Sequence, residues 1–439
     1  MAKINWLQHF DKHTYNDWEL KALKETKDDQ SKLIKSNPIE EIDFPVFLNQ
    51  HNKKNTLRKP FFSDPKWRNG ALIEVHNDNE NEANKKCLDL LMKGVDFILI
   101  DAKKTVDWKN VLNGIQLEYI NTQINTKSFE NSFDLLQSLN NKAYKHQISF
   151  NHDISDIKSI PENILKFLKE NQIKLFYANG YGIQSCGANT WEEIAYSLSC
   201  AHEILLKLLN KGLSIDEAAA CIHFSSGMGS NYYFEISKIR SLKILWSKII
   251  NAYNPKHACS TNCFITAHVG VVNKSLDDPY TNVLRQTTES MAAIIGGVDQ
   301  IIVHPYDEIS IEGKSDFSEQ LGINISLILK EESYFGNVSD PLKGSYLIDY
   351  LTNEISEKAW GLFNELEYFE CTMSEDKKSF ITNKVLKRAE QRVKQINESD
   401  SLLIGINAFK EQNVGQKKHI ETREYLGMNC LNFENYLRS

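Results

Sequence analysis

With 439 residues, 41% hydrophobic and 25% charged, the chain has the balance of a soluble globular protein. Its length suits one large α/β barrel with extensions. A net charge of −7 argues against nucleic acid or an anionic membrane as partner. No apolar run approaches a membrane span and the start, MAKINWLQHFDKHTY, lacks a signal-peptide core, so a cytoplasmic protein is expected.

Residues 1–60 read as an arm rather than a domain. Trp6, Phe10, Trp18, Leu20 and Leu23 stand amid polar residues, and Ser36-Asn37-Pro38 breaks any helix. Exposed tryptophans cost solubility, so the arm is expected to dock on its own surface or a partner's. Residues 51–59 (HNKKNTLRK) read as an exposed basic loop.

From residue 71 a rhythm begins. Short apolar runs at 71–76, 97–101, 114–120, 147–152, 173–179, 220–225, 263–269 and 300–304 read as strands. Helical spacing fills most of the gaps: 82–93, 104–112, 128–140, 161–170, 190–211, 230–251 and 279–295. Eight alternations predict a (β/α)8 barrel over 61–310. An open doubly wound sheet would carry a G-x-G-x-x-G turn after its first strand, and none is present. Thr190-Trp-Glu-Glu193 reads as a capping box, and Asp278-Pro279 as another helix start, with Arg285 and Glu289 paired four apart. Gly296-Gly297 reads as that helix's C-cap. Beyond the barrel, 311–439 reads as a helical extension with helices over 315–333, 350–368 and 374–396.

The residues that could carry chemistry are few. His76, His152, His223, His268 and His304 lie in or beside predicted strands, but no H-x-H pair opens the barrel, so they are expected as core histidines rather than metal ligands. His257, Cys259 and Cys263 have loose zinc spacing without a second pair, so the eight scattered cysteines read as reduced thiols and no metal is expected. Ser225–Asn231 opens a helix with small residues whose amides could face an anion, yet no lysine adjoins it, and a plain turn is favoured. Lys238 and Arg240 are expected to pair within the fold, as with Glu235. The stretch from Tyr177 to Ala188 closes a strand and opens the long helix from Thr190, the corner where barrels keep their chemistry.

Several segments together resemble the methylmalonyl-CoA mutase family: NVLRQTTESMAAIIGG (282–297) behind Asp278-Pro279-Tyr280, SNYYFEISKIRSLKILWSKI (230–249), LILKEESYFGNVSDPLKGSYLIDYLTNEISEKAW (327–360) and GYGIQSCGANTWEEIAYSL (180–198). The arm around Trp18 and Gly405–Phe409 fit as well. In catalytic members the segment matching 180–198 reads close to G-Y-H-x-x-E-A-G-A, so by this resemblance Gly182 replaces a histidine that meets the substrate carbonyl and faces the cobalamin. Glycine can neither donate a side-chain hydrogen bond nor move a proton. The family's Tyr-Ala-Gly-Phe loop has no counterpart around Lys66–Ala71, its coenzyme A-holding arginine segment is shortened to 154–172, and its Asp-x-His-x-x-Gly cobalamin motif is absent.

The resemblance therefore implies a non-catalytic small (β) subunit, a pseudoenzyme with no catalytic residue, no cobalamin-binding domain and no cofactor of its own. Adenosylcobalamin would sit on a large (α) catalytic partner subunit in a heterodimer that interconverts methylmalonyl-CoA and succinyl-CoA. Tyr181 and Gln184 would remain at the mouth of a degenerate substrate pocket. Two alternatives stay open: an acyl-CoA mutase barrel served by a separate cobalamin-binding protein, and an acyl-CoA-binding regulatory module. The arm and the helix around Trp246 are the candidate docking surfaces, and 154–172 is a candidate filling for the barrel axis.

Overall fold

The computed structural model describes residues 11, 13–50, 66–75, 79–102, 106–126, 129–138, 147–153, 160–171, 173–308, 310, 313–369, 375–409 and 423–434. Eight parallel strands close into a barrel: β1 (Arg68–Val75), β2 (Phe97–Ala102), β3 (Asn121–Thr126), β4 (Ile148–His152), β5 (Lys174–Asn179), β6 (Ile222–Gly227), β7 (Ile265–Val269) and β8 (Gln300–Val303). Each pairs with its sequence neighbours, and Gln300 opposite Arg68 joins β8 to β1.

The third strand differs from expectation. The apolar run 114–120 forms turns, although Leu117 and Ile120 are buried, and the strand is the polar NTQINT that follows. The reason lies inside the barrel. Buried Gln123 donates to Asn151 Oδ1 (2.7 Å) and accepts from Thr266 Oγ1 (3.2 Å) and Gln300 Nε2 (3.1 Å), while Gln300 accepts from Asn121 Nδ2 (2.9 Å). A satisfied polar layer from β3, β4, β7 and β8 thus fills this level of the axis, where polarity needs only partners to be stable. The 154–172 stretch does not supply it as far as the structure describes. Glu162–Asn171 is an amphipathic helix burying Ile164 and Leu168, and 154–159 lie outside the described residues, as does His76.

Four long helices bear on the mouth of the barrel and its flank: α1 (Thr190–Asn210), α2 (Tyr232–Ala252), α3 (Pro279–Gly296) and, beyond β8, α4 (Tyr346–Glu367). A fifth, α5 (Glu375–Asn397), follows. The capping box of α1 is one residue earlier than expected, between Asn189 and Glu192. Thr190 is used differently: its N–H and hydroxyl both donate to buried Glu40 (3.0 and 2.5 Å). Glu40 sits in the turn of an antiparallel hairpin, Ile34–Asn37 with Ile42–Pro45, inside the arm. The same turn accepts from Asn189 Nδ2 and Trp191 Nε1, and Glu41 meets Arg388 of α5 at 2.9 Å. This part of the arm therefore docks on the chain's own barrel. Ahead of it, helix Tyr15–Glu25 buries no residue, and its Trp18 packs on Phe47 (4.7 Å). Trp6 and the 51–59 loop lie outside the described residues.

Two further expectations are corrected. Glu289 pairs not with Arg285 but with buried Lys274 (2.7 Å), whose ammonium needs a countercharge, and Arg285 bonds Asn282 instead. Trp246 is wholly buried against Phe224, and α4 lies across α1 and α2, so that indole is not a docking surface. Asp278 and Pro279 do start α3, and Gly297, at φ 90°, ends it in the left-handed conformation that glycine adopts without strain.

Candidate functional site

The corner after β5 is a single helical turn, Gly180–Ser185, rather than an open loop. Asn179 caps it, accepting from the Gly182 N–H (2.9 Å) and the Ser225 hydroxyl (3.1 Å), and Ser225 Oγ accepts from the Tyr181 N–H. Glycine is required at 180 because a Cβ there would lie 2.5 Å from the Ser225 carbonyl oxygen and 2.7 Å from Ser197 Oγ. Backbone and β6 are in contact at this point, which locks the corner's direction.

Tyr181 faces the ends of β7 and β8. Its ring stacks on His268 (4.4 Å between centroids, 7° between planes) and His304 (5.3 Å). Behind it runs a chain of hydrogen bonds: His268 Nδ1 to His304 Nε2 (3.0 Å), His304 Nδ1 to Glu308 Oε2 (2.7 Å), and Arg423 Nη1 to Glu308 Oε1 (2.7 Å). Burial opposes ionisation of Glu308, but His304 and Arg423 outweigh it and hold the carboxyl well below its usual range. Burial, with His304 beside it, pushes His268 well below the usual imidazole value. His268 Nε2 is buried without a hydrogen-bond partner.

The space above Gly182 is occupied. A Cβ on Gly182 would lie 2.7 Å from the ring of Tyr425, in a C-terminal hairpin pairing Glu424–Tyr425 with Met428–Asn429. The segment around this hairpin is stitched across the mouth. Arg423 holds Glu308 after β8, and the Leu431 N–H donates to the Ser185 carbonyl (2.7 Å) after β5. Asn432 Nδ2 donates to the Val271 and Lys274 carbonyls after β7. Glu434 takes the N–H groups of Leu276 and Asp277 and the Ser275 hydroxyl. Residues 423–434 thus cover the corner after β5.

Gln184 is buried against the loop after β6, its side chain in the space a Cβ of Gly227 would need. The structure therefore does not bring it together with Tyr181 at the histidines. The loop Ser225–Asn231 already holds the chain's own anions. Glu193 Oε1 accepts from Ser226 Oγ (2.6 Å) and the Gly227 N–H (3.1 Å), and fully buried Lys238 bridges Glu193 (2.8 Å) to Glu235 (2.5 Å). Burial, only partly offset by Lys238, raises the Glu193 carboxyl to about 7. Two carboxyls around one ammonium leave no attraction for an added anion. Arg240 pairs with Asp340.

The remaining histidines have core partners: His152 bonds Ser132 (2.8 Å), and His223 Nε2 meets the Phe150 carbonyl (2.9 Å). Cys259 is exposed while Cys263 is buried, and among the described residues no group of three or more His, Cys, Asp or Glu is placed to hold a metal ion. No described helix is long and apolar enough to cross a membrane. Sequence reasoning missed Tyr425, Arg423 and Glu434. Its one available signal was Tyr425-Leu426-Gly427-Met428, where Leu426 and Gly427 both take positive φ, as a two-residue hairpin turn requires.

The model of the methylmalonyl-CoA mutase family matches residues 138–429. The chain is 33% identical over 335 residues to the methylmalonyl-CoA mutase small subunit of Porphyromonas gingivalis, covering 70% of this chain and 54% of that one. It is 31% identical over 235 residues to the methylmalonyl-CoA mutase of Rhizobium meliloti (54% of this chain, 33% of that one). It is 32% identical over 235 residues to the human mitochondrial methylmalonyl-CoA mutase (53% and 31%). The chain thus spans about half the length of the first relative and about a third of the other two. A family match over most of the barrel, on a chain with all eight strands in place, leaves one assignment: this chain belongs to the methylmalonyl-CoA mutase family.

Proposed function

We propose that the chain is a non-catalytic small subunit of an adenosylcobalamin-dependent methylmalonyl-CoA mutase. In this reading a large partner subunit binds the cofactor and isomerises methylmalonyl-CoA to succinyl-CoA, in a cytoplasmic heterodimer. The observation that carries it is Tyr425. Where catalytic members resemble G-Y-H, this chain has Gly182, and the volume above it holds an aromatic ring of the chain itself. Segment 423–434, bonded across this mouth, and the Tyr425 ring above Gly182 leave no space there for a cofactor, which supports placing it on the partner. The small-subunit relative from Porphyromonas gingivalis supports the same reading. The exposed Leu20 and Phe47, on and beside the helix Tyr15–Glu25, are the proposed contact with the partner.

Affinity purification of the tagged chain from its own cells, followed by mass spectrometry, tests this. The expected result is a stoichiometric partner carrying both the barrel histidine and a cobalamin-binding domain, with mutase activity in the pair and none in this chain alone. A small cobalamin-binding protein as sole companion, with turnover, would return the chemistry to this barrel. One observation favours a second reading, a retained acyl-CoA site: the unpartnered Nε2 of His268. Equilibrium dialysis with coenzyme A separates the two, since a covered mouth binds none.

A further inference from the structure

Cys186 and Cys430 meet across the seam between the barrel and the stitched segment, with their sulfurs 3.9 Å apart. Cys186 is buried at the end of the turn that carries Gly182, and Cys430 is half-buried just after the hairpin. The backbone on both sides is already clamped: Cys430 N–H to the Arg423 carbonyl and Leu431 N–H to the Ser185 carbonyl, each 2.7 Å. A disulfide needs the sulfurs about 2 Å apart, so an approach of roughly 2 Å suffices.

The two thiols are unequal. The contact with Cys186 and the Arg423 guanidinium favour the thiolate of Cys430 over the opposing effect of burial, holding it below the ordinary thiol value. The same contact, together with burial, pushes Cys186 up. The more accessible sulfur is thus the better nucleophile, and the buried one stands where a second step needs it.

We propose that Cys186 and Cys430 form a peroxide-responsive pair whose disulfide staples the C-terminal segment over the barrel mouth. The Cys430 thiolate attacks one oxygen of hydrogen peroxide. An S–O bond forms, the O–O bond breaks, and hydroxide leaves and takes a proton to become water. Cys430 is then a sulfenic acid, oxidised by two electrons. Cys186 gives up its proton and attacks that sulfur, and the departing hydroxide becomes a second water. Two thiols and one peroxide give one disulfide and two waters. A dithiol reductant reverses the step, as suits a transient link in a reducing compartment.

The test uses the full chain carrying Cys259→Ser, which removes an exposed thiol remote from this seam. It is treated with hydrogen peroxide, its free thiols are alkylated, and it is mapped without reduction. The expected product is a peptide pair joined through 186 and 430, two hydrogens lighter than the sum, with a raised unfolding temperature that dithiothreitol returns to its starting value. Cys430→Ser abolishes both the link and the shift. Cys186→Ala, if it folds, traps Cys430 as a dimedone-reactive sulfenic acid. Oxidation of Cys430 to sulfinic acid without a link, or an unlinked and unmodified pair under conditions that oxidise other cysteines, would overturn the proposal.

Discussion

At position 182 the space that a side chain would need is filled by the ring of Tyr425. A Cβ placed there lies 2.7 Å from that ring, so introducing a histidine forces a ring-sized overlap. Overpacking of this kind costs about 1–3 kcal/mol. Gly182→His should therefore lower the urea midpoint, and it should still show no cobalamin-dependent turnover. Tyr425→Ala added to it makes room, so the double variant should be more stable than the sum of the single losses predicts. Additive losses would mean that the two side chains do not compete. A second residue-scale effect is set by His223. Burial, partly offset by its bond to Phe150, lowers this imidazole to about 4. The unfolded chain takes up a proton near pH 6.5 while the folded one resists until about 4, so stability is complete above the unfolded value and falls as pH drops through that window. The loss is on the order of 3 kcal/mol. His223→Gln keeps a donor for the Phe150 carbonyl, and the difference between its pH–stability curve and that of the unaltered chain should grow between pH 6.5 and 4. Parallel curves would exclude the histidine as the cause.

At the scale of elements, charges buried between helices decide more than the surface does. Lys238 of α2 holds Glu193 of α1 and Glu235 beneath the loop after β6. Removing the cation strands two buried carboxyls, so Lys238→Met should cost about 3–5 kcal/mol in chemical denaturation, and adding Glu193→Gln should recover part of it. The arm's hairpin caps α1 through Glu40, and Glu40→Ala should cost about 1–2 kcal/mol by leaving the Thr190 amide and hydroxyl unpaired. These elements also divide what sequence reading reaches from what it does not. Helices α1 and α3 are written in local terms, as periodic apolar faces between Asn, Asp, Pro and Gly punctuation. Strand β3 is not, because its inward Gln123 is stabilised by Asn151, Thr266 and Gln300 from three other strands. Hydropathy weighs a residue alone and cannot see those partners. Tyr181 and Gly182 were readable from a motif, whereas Tyr425 arrives from 239 residues beyond Cys186, a separation no local pattern spans.

Over the whole molecule, the mouth of the barrel is completed by residues 423–434, which carry few elements of regular structure. Their bonds go to three separate loops, after β5, β7 and β8, so the segment ties β5 to β7 and β8 across the intervening β6. A chain ending at residue 422 should keep the barrel but lose amide protection at Leu276 and Asp277, where Glu434 is the acceptor. Hydrogen exchange with mass spectrometry should show the change confined to 180–187 and 271–277. Uniform loss across β1 to β8 would mean that the segment supports the fold as a whole.

That closure also sets an order of events during synthesis. The bonds from Glu434 to Leu276 and from Tyr425 to Cys186 span 158 and 239 residues, so neither exists until most of the chain has left the ribosome. Elongation at roughly 5–20 residues per second makes that a delay of about ten seconds or more. Throughout it the nascent barrel is a roofless vessel, its Tyr181 and histidine wall open to water, and the quality of the finished protein depends on how well its walls stand before the roof is laid.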